Sequence, residues 1–364
     1  MIPLYEETAQ LDFAAKQFGT GNRGLIYNKF ADVWDECGHK AVRTNKSTFI
    51  NKFAEDSGST DAQKLLDSYV ERRHYLFWKL NAKIIRARTM WRFVSGLGAA
   101  HVLETGFVWH PILGVPYIPA SSIKGALRAY LTAWYGEQSD KLLCAQELFG
   151  DTDEHGMGRL IIFDALPSRL PKLELDIMNP HYGPYYSDPK NNAPGDYYSP
   201  VPINFLTVAP EQQFEFCLAP NQTLGTKKDL DKGTELLQET LSIMGCGAKT
   251  AVGYGVFHDF QDISADVFDQ LIVQEEEAKL AVLSPFDRNL EELRLATQKG
   301  VAKEQLKNMT IDLFQGLNQL TEEQQKKAAQ VLKTVWVTIG EWEGKLSKKQ
   351  VIKVRTIKEI LGEE

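Results

Sequence analysis

Two short stretches of this chain carry the residue types that can hold an anion. In IPASSIKGALRAY, residues 118–130, Ser121 and Ser122 offer side-chain oxygens able to cap a helix start, and Lys124 and Arg128 follow one turn apart. A lysine in a first helical turn opposes the macrodipole, so its placement there makes sense if an anion sits at the helix start. The same residues equally fit a capped amphipathic helix with an incidental exposed lysine. In GCGAKTAVGYG, residues 245–255, four glycines permit close backbone approach to a ligand. Lys249 and Thr250 add a cation and a hydroxyl, the materials of a phosphate cradle. It is not a Walker A loop, because Ala248 stands for the last glycine and Ile243 for the first. Nor does it follow a strand, as a dinucleotide fingerprint must.

Other chemistry is sparse. His101, His110, His155, His181 and His258 have no recognisable nucleophile or metal partner. Asp151, Asp153 and Gly156 imitate part of a calcium loop, but His155 and Ile162 stand where oxygen ligands belong. Cys37, Cys144, Cys217 and Cys246 show no metal spacing and suggest a reducing compartment. No catalytic residue, metal or cofactor is therefore predicted. Residues 177–202 hold six prolines, interleaved with Tyr182, Tyr185, Tyr186, Tyr197 and Tyr198. That pattern excludes helix, makes a long strand improbable, and fits a protruding loop. Its tyrosines either stack on unpaired bases or pack on one another.

These candidates need elements to position them. Residues 1–82 read as helical and irregular, with Asp61–Leu80 carrying apolar residues at helical spacing and His74 as a half-buried helix residue. Ile84–Val94 and Ala100–His110 alternate like strands, punctuated by Gly96 and Gly98. The Ser121 stretch follows as a helix. Arg159–Ala165, Ile203–Val208 and Gln213–Leu218 read as strands, Asp229–Met244 as a helix, and Ala251–Phe260 as a last strand. That order matches an elaborated ferredoxin-like βαββαβ plan, an α+β fold whose two helices share one face of an antiparallel sheet. Lys124 and Lys249 then each follow a chain reversal beside that sheet. Beyond residue 262 the chain is charged and helical, ending in the basic Lys345–Lys358 segment, either an RNA contact or a solvated helix face.

The chain has 364 residues and a net charge of −7, unevenly spread. Between Arg72 and Gly136 nine bases face one acid, Glu104, whereas Asp262–Glu292 holds nine acids and two bases. The basic zone is either the footprint of RNA or DNA or a solvated surface. With no signal-like start and no apolar run of membrane-spanning length, the expectation is a soluble, cytoplasmic protein.

Six blocks in order, IPASSIKGALRAY, LFGD, LIIFDALP, DIMNPHYGPYY, GDYYSPVPINFLTV and GCGAKTAVGYG, resemble the RAMP superfamily of CRISPR effector proteins, most closely backbone subunits of type III-B (Cmr) complexes. The resemblance covers residues 84–260. It implies a single RRM-like (ferredoxin-like) domain with an antiparallel sheet, residues 83–261, carrying the 177–202 insertion. A helical extension, 1–82, and a helical appendage, 262–364, flank it. It further implies a non-catalytic RNA-binding subunit placed toward the 3′ end of a CRISPR RNA, beside other RAMP backbone subunits and a small helical subunit, with target single-stranded RNA as a further possible contact. Ser121, Ser122, Lys124, Arg128, Gly247, Lys249 and Thr250 are the residues the resemblance turns toward RNA. Tyr182, Tyr185, Tyr186 and Tyr197 are assigned to RNA or a neighbouring subunit. The competing reading is a RAMP-type endoribonuclease that processes CRISPR RNA. One departure stands out: Ala120 replaces the usual glycine before the two serines, which alters how closely RNA approaches there.

Overall fold

The computed structural model describes residues 21–31, 33–34, 42–135, 146–150, 156–344 and 346–363. The chain forms two compact units, Met1–Phe268 and Asp269–Glu364. In the first, α1 (Arg23–Lys29), α2 (Arg43–Glu55) and α3 (Thr60–Lys79) precede β1 (Lys83–Thr89). Then come α4 (Ala120–Tyr135), β2 (Leu160–Ile162), β3 (Leu166–Pro167) and β4 (Leu173–Met178). A short α5 (Gly183–Ser187) leads to β5 (Ile203–Val208), β6 (Gln213–Pro220), α6 (Lys227–Ile243) and β7 (Phe257–Asp262).

The main sheet has the order β2-β6-β1-β7, with β3 also on β6, and every pairing is antiparallel. Taken as the four strands of a βαββαβ unit, that is the split-βαβ topology expected from the element order. Lys83 faces Leu218 and Arg88 faces Gln213 across the central pair. β6 is buried along six consecutive residues because both faces of the sheet are covered. On one face Phe214, Phe216 and Leu218 join Ile123, Leu127, Leu237 and Leu241 of α4 and α6 in the principal core. Each such side chain contributes about 1.5–3 kcal/mol by leaving water. On the other face Cys217, Ala219 and Ile84 meet Phe77 of α3. There Glu215 accepts from Arg86 at 2.8 Å and pairs with His74 at 2.8 Å, so His74 is a half-buried tie between α3 and the sheet.

Several local expectations need correction. Ala100–His110 is not a strand; it is a loop whose Phe107 and Trp109 pack against Tyr27 of α1, so its apolar alternation reflects contacts with helices. The 177–202 segment does hold a helix, the five-residue α5, because Pro184 sits in its first turn, where no amide donor is needed. β4, which the sequence reading passed over, pairs with β5 in a separate two-stranded sheet, Leu173 facing Val208 and Met178 facing Ile203. The strand after the glycine-rich loop begins at Phe257, preceded by a 3-10 turn at Thr250–Val252. Asp151, Asp153, His155, Cys37 and Cys144 lie outside the described residues.

The boundary between units falls within α7 (Ser264–Val282). The second unit contains α8 (Pro285–Gln298), α9 (Lys303–Gln315), α10 (Glu322–Ile339) and α11 (Lys348–Leu361). Its own core gathers Leu290, Leu293, Leu306, Leu332, Trp336 and Ile357. Capping boxes start α10 (Thr321 with Gln324) and α11 (Ser347 with Gln350), and Gly340 and Gly362 end them in the left-handed region. No helix among the described residues is long and apolar enough to cross a membrane.

Candidate nucleic-acid interface

α4 begins one residue earlier than its serines suggest. The Asp164 carboxylate accepts the Ala120 N–H at 2.7 Å, and the Pro119 carbonyl takes the amides of Ser122 and Ile123 at 2.9 and 3.1 Å. Ser121 and Ser122 are therefore exposed first-turn residues and not the cap, because a nearby carboxylate out-competes them. Asp164 is itself held, since its carbonyl accepts from Arg73 of α3.

The two motifs meet across an open groove of about 530 Å³. One wall is α4, through Ser122, Gly125, Ala126 and Ala129; the other is the glycine-rich loop, through Gly245–Ala248 and Thr250; Ser95–Gly98 close one side. No acidic, basic or histidine side chain lines it among the described residues, so its recognition surface is backbone, hydroxyl and small apolar groups. Gly125 is the informative wall residue. A Cβ added there meets nothing within 4 Å, so no packing demands a glycine in this helix. The helix glycine Gly233 of α6 differs, because a Cβ there would come within 2.3 Å of Leu160. Gly247, at φ +107°, lies so close to Val94 that a Cβ would be 2.5 Å from its carbonyl oxygen.

The predicted residues divide between two places. Ser122, Gly247 and Thr250 line the groove. Ser121, Lys124 and Arg128 lie on the other flank of α4, since a helix turns about 100° per residue. Arg128 is committed to the Gly150 carbonyl and so pins the Leu148–Gly150 turn to α4. Lys124 has no carboxylate partner among the described residues, and burial together with the neighbouring Arg128 lowers its pKa from the ordinary lysine value. An anion beside it would relieve that cost. Lys249 occupies the left-handed region at φ 59° and lays its ammonium over Phe205 and Tyr254, 5.4 and 5.9 Å from the ring centres.

The rest of the basic zone is already engaged. Lys83 pairs with Asp231, Arg86 with Glu215 and Arg88 with Asp259. Arg92 bridges Glu174 at 3.1 Å and Asp176 at 3.0 Å, and its carbonyl accepts the Gly255 N–H. Tyr254 donates to Asp176, and burial followed by that carboxylate pushes its pKa up to about 12. Arg92, Asp176 and Tyr254 thus clamp the end of the glycine-rich loop. The clamp was not foreseen, because Asp176 belongs to the strand that the sequence reading passed over. Burial raises the Cys246 thiol to about 11, so it is a protonated wall residue and not a nucleophile at neutral pH.

The tyrosine loop stands apart from the groove lining. Tyr186 and Tyr197 are 66% and 74% exposed, although each also touches other residues of its own loop. Tyr182 donates to Asp196 at 3.3 Å and meets Tyr186 edge-on, Tyr185 lies against Tyr186, and Tyr197 against Tyr198.

A split-βαβ sheet with both helices on one face, and a glycine-rich loop facing the first helix, defines a ferredoxin-like α+β domain. The RAMP superfamily profile matches residues 84–258. The CRISPR system Cmr subunit Cmr6 of Pyrococcus furiosus is 31% identical, with the match covering 53% of this chain and 73% of that protein. Cmr6 of Saccharolobus solfataricus is 27% identical over 66% of this chain and 82% of its own. The chain belongs to the RAMP superfamily and resembles Cmr6. A chain in the cryo-EM structure of the Type III-B Cmr-beta complex bound to cognate target RNA is 26% identical, covers 59% of this chain and 72% of its own, and superposes with a TM-score of 0.47.

Proposed function

We propose that this chain is a non-catalytic CRISPR RNA-binding backbone subunit of a type III-B (Cmr) complex, seated toward the 3′ end of the guide. One observation carries the reading. Two motifs far apart in sequence form facing walls of one groove, and the wall glycine at Gly125 leaves open space that no packing explains. Single-stranded RNA laid there places its backbone against the Ser122 and Thr250 hydroxyls and the amides of the glycine-rich loop. Lys249 supplies charge at the loop. Lys124 supplies it where the strand passes the start of α4, with the Ser121 hydroxyl beside it and Arg128 reinforcing the local positive field. The exposed tyrosines, Tyr186 and Tyr197 foremost, contact RNA or a neighbouring subunit. Residues 262–364 serve as a helical appendage for docking on neighbouring subunits.

The test is to tag the protein in its native host, purify it gently, and identify what accompanies it. The expected result is short RNAs sharing a repeat-derived 5′ end, together with several other RAMP proteins. A lone protein that shortens added RNA would overturn the scaffold reading in favour of a processing endoribonuclease, and mutation of His181 would then be the next step.

A further inference from the structure

Trp91 lies just beyond β1 and is 47% exposed, yet the backbone on either side of it is fixed. The Met90 N–H donates to the Val256 carbonyl at 2.8 Å, and the Arg92 carbonyl accepts the Gly255 N–H at 2.9 Å. The indole is therefore bracketed by the last residue of the glycine-rich loop and the residue after it. Two residues beyond Arg92, the Val94 carbonyl accepts the Ala248 N–H at 2.8 Å, so the same loop anchors this segment a second time.

The ring has its own support. The Arg92 guanidinium lies over it, 5.0 Å from the ring centre, and is held there by Glu174 and Asp176 at 3.1 and 3.0 Å. Attraction between the cation and the ring quadrupole fixes the indole against that guanidinium. One face of the ring is thus occupied, and the half of the side chain that stays exposed is open to a ligand. The groove described above lacks such a surface: no aromatic side chain lines it among the described residues. Ser95, which does line it, is four residues from Trp91, so the two Cα atoms are at most about 14 Å apart.

We propose that Trp91 is a stacking platform for one unpaired nucleobase of the RNA strand whose backbone the glycine-rich loop holds. The inference rests on the RNA reading of the groove and deepens it by naming where a base goes. A strand that follows the loop from Thr250 toward Gly255 brings a base to the open face of the indole, with Arg92 behind the ring. The ring's attachment to that loop favours a base over a protein side chain as its occupant. Every base has a π-face and nothing at Trp91 reads a base edge, so the platform accepts all four bases.

The test uses the full chain with two labelled single-stranded RNAs of equal length, oligouridine and an abasic oligomer, in anisotropy titrations. Trp91→Ala should weaken oligouridine binding by about 5- to 150-fold, the usual worth of one stacked base. Affinity for the abasic strand and the slope of affinity against salt should not change, because no phosphate contact is lost. Trp91→Phe keeps a ring and should recover most of the loss. Photocrosslinking of 4-thiouridine RNA to the wild type should label residues 90–92, a readout that stands even if Trp91→Ala folds poorly. Oligouridine affinity equal in wild type and Trp91→Ala, or labels that avoid residues 90–92, would overturn the platform and leave the groove standing. A Trp91→Ala protein that keeps its RNA affinity but loses a neighbouring subunit on purification from the host would overturn it in favour of a protein contact. Failure of the wild type to bind even the abasic strand would instead overturn the groove reading, and the platform with it.

Discussion

Gly125→Leu separates a ligand-driven glycine from a structural one. In the folded protein a Cβ at this position meets nothing within 4 Å, so the first carbon of a side chain fits there without moving a neighbour and the rest of a leucine enters the open groove. Glycine in a helix interior costs about 1 kcal/mol relative to alanine, and leucine is nearly as good a helix former. The variant should therefore be more stable by about 0.5–1 kcal/mol, a rise of about 2 °C in Tm for a unit of this size. Its effect on RNA should have the opposite sign. The leucine projects into the groove between Ser122 and Ala129, where the reading places the RNA backbone. Losing one charge-assisted hydrogen bond to a phosphate, about 1.5–3 kcal/mol, weakens binding by roughly 10- to 150-fold. Thermal melts and fluorescence anisotropy with labelled single-stranded RNA measure the two effects. The control is Gly233→Ala, which should destabilise by about 1–3 kcal/mol through overpacking against Leu160 and leave RNA affinity unchanged. A Gly125→Leu protein that binds RNA as well as the wild type would refute the groove, and one that melts lower would refute the claim of open space.

Three further outcomes follow from the same geometry. Lys124→Ala combined with Lys249→Ala removes two cations, so the slope of log affinity against log salt should flatten by about 1.4, at about 0.7 per phosphate contact on single strands; an unchanged slope counts against both lysines. Because Lys124 has a lowered pKa in the free protein and a bound phosphate raises it, RNA affinity should be greatest below the free-protein pKa and fall as pH rises through it; in Lys124→Arg that fall should vanish, since guanidinium stays charged. Glu215, which burial pushes up but His74 and Arg86 bring below the usual carboxylate range, contributes stability that is present above its unfolded pKa and lost as pH falls through the folded one. Glu215→Leu should cost about 1–3 kcal/mol in denaturant unfolding at neutral pH, because it leaves the part-buried Arg86 and His74 without their acceptor.

Strands β1 and β6 and helices α4 and α6 were legible in the sequence because each declares itself through local periodicity and punctuation. Their order then sufficed for the sheet topology. What misled were residues whose role is set by distant partners. The apolar run around Phe107 and Trp109 imitates a strand because it packs on Tyr27, which lies in a different helix. Ser121 and Ser122 match a cap, yet Asp164 arrives from 44 residues away and takes the role. Arg128 looks like a free cation until Gly150 is seen to occupy it. Gly125, conversely, stood unused inside SSIKG; a glycine within the helical run IKGALRAY was the signal from which the groove wall could have been read.

The antiparallel pairing of β1 with β6 has a consequence for synthesis on the ribosome. β1 is made by residue 89, but the partner that covers it begins only at Gln213, and its second partner, β7, at Phe257. At about 5–20 residues per second, the central strand of the nascent sheet stays unpaired for roughly 6–25 s. During that interval α3 can shelter Ile84 on one face of the strand, whereas Ala87, on the face of the principal core, awaits α4 and β6. Long-range pairing of this kind is slow and aggregation-prone. α3, complete before β1 emerges, therefore acts as a cis-acting guard for the strand, its Phe77 already in place to cover Ile84. A chain released before residue 262 would present the open edge of β1 to other nascent chains.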